Sequence, residues 1–402
     1  MIIRTISLRN FRNHPETRVV FGPGLNVLLG ENGQGKTNVL EAVSYLSLTK
    51  SFYAASDLNA LRLGQDAFEV EGEMVADGGM PSTVRVAYRR EPPEKTFTIN
   101  GVRPDSLSKV IGRFPVVILS PEHGSITFGG PAERRRFMDL TLSQVSSVYL
   151  DDLMEYRRIL RQRNRLLADM RFAQGGGAAL LEPWTVNLAE YGGRITRRRL
   201  EFAAEFSSYV SRAYGTLVAE EEIPSLQYTA FAPLESGTPA EAIARLLLRE
   251  LHARADEEQR RGASLVGPHR DELQLAVNGM SVQRFASQGQ HKTLLVALKI
   301  AEFFYLRERR NEDPIMLLDD LFSELDEPRT RRILTVIGTL GQAIITTTEE
   351  TPFRGQILWN HRHRKFTIDH GTVRPTAPAG TSGAGGSGAG TPDQIPGDRQ
   401  DA

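Results

Sequence analysis

Apolar positions change period several times along the chain. Up to residue 29 they come in short runs. Ile2, Ile3, Ile6 and Leu8 predict one strand, Arg18-Val19-Val20-Phe21 a second and Leu25-Asn26-Val27-Leu28-Leu29 a third, with Gly22-Pro23-Gly24 as the turn between the last two. Further strands are predicted over 68–75, 83–88 and 96–99, the last closed by Asn100-Gly101, and over 114–119, ending at Ser120-Pro121-Glu122. From about 131 to 262 the spacing turns helical, predicting helices over 132–145, 146–171, 181–214 and 239–259; 226–230 is strand-like, and 172–180 with its Gly175-Gly176-Gly177 reads as a mobile turn. Strand pattern returns at 272–277 before Asn278-Gly279. A helix over 289–310, a wholly apolar strand over 314–320, a helix over 328–340 and a strand over 342–348 follow. The rest, from about Thr376, is rich in Gly, Ala, Ser and Pro, cannot bury enough apolar surface to fold, and is expected to be a disordered tail.

One break in this pattern carries specific chemistry. Residues 30–37 read G-E-N-G-Q-G-K-T, which fits G-x-x-x-x-G-K-[ST] between a buried strand and a helix over 38–48. Gly30, Glu31, Asn32, Gly33, Gln34 and Gly35 would curl with their N–H groups inward as a nest for phosphate oxygens, and the helix aims its positive end at the same anion. Lys36 would reach the β- and γ-phosphates of ATP, and the Thr37 hydroxyl would sit on Mg²⁺.

A phosphate loop needs a metal partner. Ile315-Met316-Leu317-Leu318-Asp319 is an apolar strand ending in a carboxylate, a Walker B pattern in which Asp319 would hold Mg²⁺ and Asp320 would orient and deprotonate the attacking water. Ser287-Gln288-Gly289-Gln290 opens a helix and offers a second anion-binding end, although an ordinary N-cap explains it as well. Ser323-Glu324-Leu325-Asp326 follows the apolar strand and can equally be a helix cap.

Composition sets outer limits. The 402 residues allow two or three domains, and 40% hydrophobic with 24% charged residues is ordinary for a globular protein. Net charge is zero, so a nucleic-acid site has to be a local patch. The absence of cysteine excludes disulfides and thiol chemistry. The N-terminus is too quickly polar for a signal peptide, and no apolar run approaches the roughly 18 residues of a membrane span, so a cytoplasmic protein without membrane contact is expected. Charge is uneven inside the helical region: residues 131–200 hold 13 Arg against 8 acids, and 201–262 hold 6 Arg against 11. The arginines could line a DNA path, the candidates being Arg134, Arg135, Arg136, Arg157, Arg158, Arg161, Arg165, Arg194, Arg197, Arg198 and Arg199; charge alone favours neighbouring helices that neutralise each other.

In combination these motifs resemble the ATPase heads of ATP-binding-cassette (ABC) and SMC proteins, and more narrowly the RecF family of bacterial recombination mediators. The resemblance is carried by Leu8-Arg9-Asn10-Phe11-Arg12-Asn13-His14, by 30–38, by Ser120-Pro121-Glu122, by 129–139 (G-G-P-A-E-R-R-R-F-M-D), by Gly267-Pro268-His269-Arg270-Asp271, by Ser287-Gln288-Gly289-Gln290 and by Leu317-Leu318-Asp319-Asp320. It implies an α/β fold: an ABC/SMC-like P-loop head of mixed sheet plus antiparallel subdomain, made of 1–130 and 263–373, an inserted helical arm over 131–262, and the tail over 374–402.

It also implies a weak DNA-stimulated ATPase that dimerises with ATP on single- and double-stranded DNA, at gaps or junctions, and helps RecO and RecR load RecA in replication, recombinational repair and the SOS response. In such heads Ser287, Gly289, Gln290 and Asp326 would address the ATP of the other subunit, while Arg12 and Asn13 would contact the nucleotide in their own. Departures are visible. Gln288 replaces a glycine of the transporter signature, Asp320 stands where many cassette ATPases carry Glu, Thr346, Thr347, Thr348 and Glu349 occupy the stretch where a switch His is usual, and Glu122 is the one candidate for the Gln-loop role. Slow hydrolysis is expected. The competing readings are a motor subunit for transport or an SMC-like nuclease, and an SMC-like structural protein; the arm is too short for the long coiled coil the last would need.

Overall fold

The computed structural model describes residues 1–52, 56–172, 178–218, 222–324, 326–357 and 359–376. In chain order, β1 (Ile2–Phe11) and β2 (His14–Val20) form a hairpin, and β3 (Leu25–Leu29) leads through the glycine loop into α1 (Lys36–Leu48). Strands β4 (Ala67–Val75), β5 (Pro81–Arg89) and β6 (Glu94–Ile99) form a meander, followed by β7 (Val116–Leu119). Then come α2 (Ser125–Phe128), α3 (Pro131–Val145), α4 (Ser147–Phe172), α5 (Ala178–Leu217), β8 (Pro224–Thr229), α6 (Ala240–Ala253) and α7 (Ala255–Arg261). The chain returns with β9 (Glu272–Val277), β10 (Met280–Ser281), α8 (Val282–Phe285), α9 (Gln288–Arg310), β11 (Ile315–Asp319), α10 (Glu327–Thr339), β12 (Ala343–Thr347), β13 (Arg364–Asp369) and β14 (Thr372–Thr376).

The central sheet has the order β14-β13-β3-β12-β11-β7. Its β13, β3, β12, β11 and β7 run parallel, and β14 is antiparallel at one edge. Both faces are covered, which is why β3, β11 and β12 read as near-continuous apolar runs. Alternate residues serve opposite cores: Leu28, Ile315, Leu317 and Ile344 pack with α1 and the β1 side, while Val27, Met316, Leu318 and Ile345 pack with α3, α9 and the arm. The antiparallel sheet β2-β1-β4-β5-β6 lies over α1. Gln342, fully buried, stitches the two sheets together: its amide accepts from Ile3 N at 2.8 Å and donates to Ile3 O at 2.8 Å and Gly22 O at 2.7 Å.

The helical region departs from expectation in two places. The helix expected over 239–259 breaks at Arg254 into α6 and α7. Strand β8, inside the expected arm, pairs with β9, so a three-stranded sheet β10-β9-β8 ties the arm's sequence to the returning chain. α5 and α6 approach closely at Gly193, where a Cβ would stand 2.6 Å from Ala240 O. Arg163 and Glu258 are both buried and joined at 2.6 Å, and the guanidinium also donates to Ser264 from Nη1 and to Thr185 from Nε. This bond ties the Arg-rich half of the arm to its acidic half. A second buried cluster sets Arg199 against Asp139 at 2.7 Å, the Tyr149 hydroxyl at 3.1 Å and Pro268 O at 2.6 Å.

The C-terminal part needs correction. The expected tail from 374 begins inside β14, which forms a hairpin with β13 in which Phe366, Ile368 and Val373 alternate around His370-Gly371, a turn with φ of 44° and 78°. Residues 377–402 of that tail, and the Gly175-Gly176-Gly177 turn, lie outside the described residues. Among the described residues no helix is long and apolar enough to cross a membrane.

His269 gives the fold a pH signature. Its Nδ1 accepts from the Tyr156 hydroxyl at 2.6 Å while Nε2 donates to Ser264 O at 3.2 Å, an arrangement suited to the neutral ring. Burial is the main cause that pulls this imidazole down from 6.5 to about 4. The unfolded chain therefore takes up a proton near pH 6.5 and the folded chain only near 4. Stability is lost as pH falls through that window, by up to ~3 kcal/mol from this group. Urea unfolding across the window is expected to show a flatter pH dependence for His269→Gln than for the wild type.

Candidate active site

The glycine loop is held open by backbone geometry and by what lies behind it. Gly35 sits at φ 109°, where an L side chain is strained, and a Cβ there would stand 2.5 Å from Asn13 Oδ1. Asn13 donates to Gln34 O at 2.9 Å and accepts from Asn38 Nδ2 at 2.8 Å. The buried His14 places Nε2 3.1 Å from Gly35 O and Nδ1 2.8 Å from Gly371 O. From the far end of the chain, Gly371 N donates to Gln34 O at 3.0 Å and His370 N to Gln34 Oε1 at 2.6 Å. The loop is thus splinted between the β1–β2 turn and the β13–β14 turn. His14 and Gly371 were not expected to take part; the structure shows them as supports.

In front of this splint the chemical groups converge. Lys36 Nζ donates to the carbonyls of Gly30 at 2.6 Å and Glu31 at 2.8 Å. Burial lowers its pKa, and the charges of Asp320 and Asp319 oppose that shift. The Thr37 hydroxyl lies 2.8 and 3.1 Å from the two carboxylate oxygens of Asp319. Thr346 Oγ1 donates to Asp319 Oδ1 at 2.6 Å and accepts from Asp320 N at 3.0 Å. Burial pushes the Asp319 carboxyl up, and the donors Thr346 and Thr37 hold it back. Asp320 stands at φ 46°, so the chain turns sharply just after the strand. Thr346 follows from register: it faces Asp319 across the parallel pair β11–β12. The sequence displayed it at the end of an apolar run without disclosing which strand end it would meet.

A cleft of ≈ 410 Å³ opens over these groups. Its walls are Asn32, Gly33 and residues 35–38 on one side, Asp319, Asp320 and Thr346 at the back, and Ser120-Pro121-Glu122 across the mouth. A hydroxyl and a carboxylate are hard oxygen donors, the set that Mg²⁺ prefers, so Thr37 and Asp319 fit that ion. Arg12, a candidate nucleotide contact, does not line this cleft. Its guanidinium grips the buried Glu41 through two bonds of 2.8 Å and donates to Asn59 O at 2.6 Å, bracing α1 from the side.

Ser287, Gly289 and Gln290 do not line this cleft. Ser287 caps α9 in a reciprocal box: its hydroxyl accepts from Gln290 N at 3.2 Å and its N–H donates to Gln290 Oε1 at 3.0 Å. Gln290 also donates to Glu222 at 2.9 Å. Asp326 caps α10 by accepting from Arg329 N at 2.8 Å, and its carboxylate meets the Arg329 guanidinium at 3.2 Å. That guanidinium lies against Gly289, 3.0 Å from where its Cβ would be. The signature loop and Asp326 therefore share one patch through Arg329.

Among the DNA candidates, Arg134 is corrected: it is 4% exposed and forks onto Glu272 at 2.8 and 2.9 Å, leaving no face for a phosphate. Arg199 is likewise buried. Arg135 is half-buried on Asp271 O. Arg157 pairs with Asp139, Arg158 with Glu155, Arg194 with Asp152 and Glu190, and Arg197 and Arg198 share Glu201. Arg136, Arg161 and Arg165 are exposed.

The family model described as RecF/RecN/SMC N terminal domain matches residues 2–356. A protein named DNA replication and repair protein RecF from Salinibacter ruber is 43% identical, covering 88% of this chain and 86% of its own length. The chain belongs to the RecF family. A Staphylococcus aureus protein of the same name is 35% identical over 93% of this chain and 100% of its own. A solved structure of the recombination mediator protein RecF with ATP, described as part of the RecFOR pathway, matches this RecF-family chain with a TM-score of 0.85 at 30% identity, covering 93% of this chain and 97% of that one. An Smc head bound to the C-terminal winged-helix domain of ScpA matches with a TM-score of 0.53 at 13% identity over 94% of this chain, which shows a shared fold. The fold is that of an ABC/SMC-type ATPase head.

Thr346→Val removes both bonds that orient Asp319 and Asp320 while keeping the side-chain volume. ATP turnover with Mg²⁺ is expected to fall about 10- to 100-fold, with the far-UV spectrum and melting profile retained.

Proposed function

We propose that this chain is an ATP-gated DNA clamp whose output is assembly. ATP with Mg²⁺ binds at the glycine loop, two heads close on each other over DNA, and slow hydrolysis releases them. On this reading the closed dimer, at gaps or junctions, helps RecO and RecR place RecA, serving replication, recombinational repair and the SOS response in the cytoplasm. The observation that carries the reading is a division of labour within one chain. Thr37 and Asp319 meet at 2.8 Å over a cleft that Ser287 does not line, while Ser287 and Asp326 sit together on a separate patch.

A site of that kind is completed by a second copy of the chain. Lys36 would hold the β- and γ-phosphates of ATP, Thr37 and Asp319 would hold Mg²⁺, and Asp320 would orient the attacking water. Mg²⁺ would supply charge neutralisation on the phosphates. Ser287, with the α9 N-terminus behind it, would meet the γ-phosphate of the other subunit's nucleotide. Arg136, Arg161 and Arg165 remain as exposed phosphate-binding candidates on the arm.

Mass by light scattering tests this. The wild type is expected to be monomeric without nucleotide or with ADP and dimeric with a non-hydrolysable ATP analogue; Lys36→Met and Ser287→Arg are expected to stay monomeric throughout. A nucleotide-independent mass in the wild type would remove the trans role of Ser287. Turnover is expected well below the roughly 10 per second of a typical enzyme, since Asp320 is one methylene shorter than the Glu common at that position; a rate at or above that value contradicts the assembly-switch reading.

A further inference from the structure

The nucleotide cleft lies at the carboxyl ends of β3 and β11. At the opposite end of the central sheet, where β13 begins beside the start of β3, there is a second concavity of ≈ 430 Å³. Its walls include Trp359, His361, His363, Arg364, Lys365 and Pro375, and among the described residues no carboxylate lines it. The run 359–365 reads W-N-H-R-H-R-K, so five of its seven residues are His, Arg or Lys.

The basic side chains are held in place by the protein. Arg364 Nη1 donates to Val20 O at 2.7 Å, and His363 Nδ1 accepts from Leu25 N at 3.0 Å. The backbone beneath is pinned as well, Gly24 N donating to Arg362 O at 2.9 Å. Lys365 Nζ lies 5.7 Å from the centre of the Trp359 ring and 2.7 Å from Glu350. His361, in the wall, and Arg362, next to it in sequence, are exposed. None of the DNA candidates read from the sequence lies here.

We propose that this concavity is a binding site for single-stranded DNA, with an unstacked base against Trp359 and the strand's phosphates on Arg362, Arg364 and the neighbouring histidines. A cationic track with an aromatic face is the chemistry that binds single strands without sequence preference. A duplex keeps its bases stacked inside and cannot offer one to a pocket, so the site discriminates by strandedness. It also faces away from the nucleotide cleft, so a strand bound there leaves the closing surface of the head uncovered. The proposal rests on the DNA-binding reading above and adds a second place for DNA.

The chain has two tryptophans, Trp184 and Trp359. In full-length protein carrying Trp184→Phe, fluorescence therefore reports Trp359 alone. Titration with an oligothymidylate of about 15 nucleotides is expected to quench it saturably. Arg362→Glu, at an exposed position, is expected to weaken that binding about tenfold or more and to reduce its salt dependence, with ATP turnover in the absence of DNA unchanged. Trp359→Tyr is expected to retain oligonucleotide binding, measured by anisotropy of a labelled strand, and Trp359→Ala to weaken it. A blunt duplex hairpin is expected to bind without quenching. The site proposal is overturned if Arg362→Glu binds the oligonucleotide like the wild type, if the duplex quenches equally, or if poly-glutamate captures the pocket and the oligonucleotide does not, which would assign it to an acidic protein partner. If the wild type binds neither DNA, the DNA-binding reading itself falls.

Discussion

Thr37 and Asp319 are 282 positions apart and meet through the Thr37 hydroxyl at 2.8 Å. That meeting is fixed by strand order. β3 and β11 do not touch; β12 lies between them and binds each in parallel register, pairing Thr346 with both Asp319 and Leu28. The loop after β3 and the carboxylates after β11 therefore project from the same sheet edge, where parallel sheets gather their ligands. One hydroxyl on the middle strand then sets the carboxylate's orientation from the side. The hairpin turns behind the glycine loop then hold the loop that these strands carry.

The splint shows why the motif alone does not make the site. A glycine loop between strand and helix has the right spacing, but its conformation is soft. Here Asn13 and His14 press on it from one hairpin and Gly371 from another. Arg12 locks the side of α1 through Glu41, a pair that exchanges desolvation of two charges for a fixed helix position. The site is preorganised by groups that make no contribution to its own charge pattern.

Much of this is legible in the sequence. The glycine loop, the apolar strand ending in Asp319-Asp320, the long helices and the antiparallel meander follow from periodicity and turn chemistry, because each is encoded within ten or so neighbouring residues. What stayed hidden depends on distant partners. β13 and β14 are short, basic and half-exposed, and they become strands because β3 offers an edge some 340 residues upstream. Arg134 sits in a run of three arginines that reads as a phosphate-binding stripe; only the fold reveals Glu272 waiting for it. Thr346 looked like one of three equivalent threonines until register singled it out. Charge counts did not disclose the partners either: Arg163 meets Glu258 of the acidic half in the interior, while the exposed Arg157, Arg158 and Arg194 pair with acids of their own half.

The contact between His14 and Gly371 has a bearing on synthesis as well as on shape. A ribosome delivers the glycine loop within the first tenth of the chain, yet β13, which flanks β3, and the turn that splints the loop arrive only after residue 360. Until then the nascent head has an open strand edge beside β3 and a phosphate loop with half its backing. Pairings of such long sequence separation form late, because loop closure must precede them. A chain cut short by a stalled ribosome or clipped before residue 364 would thus carry the full nucleotide motif without a formed site. Competence to bind nucleotide then arrives late in synthesis, when the β13–β14 hairpin docks beside β3.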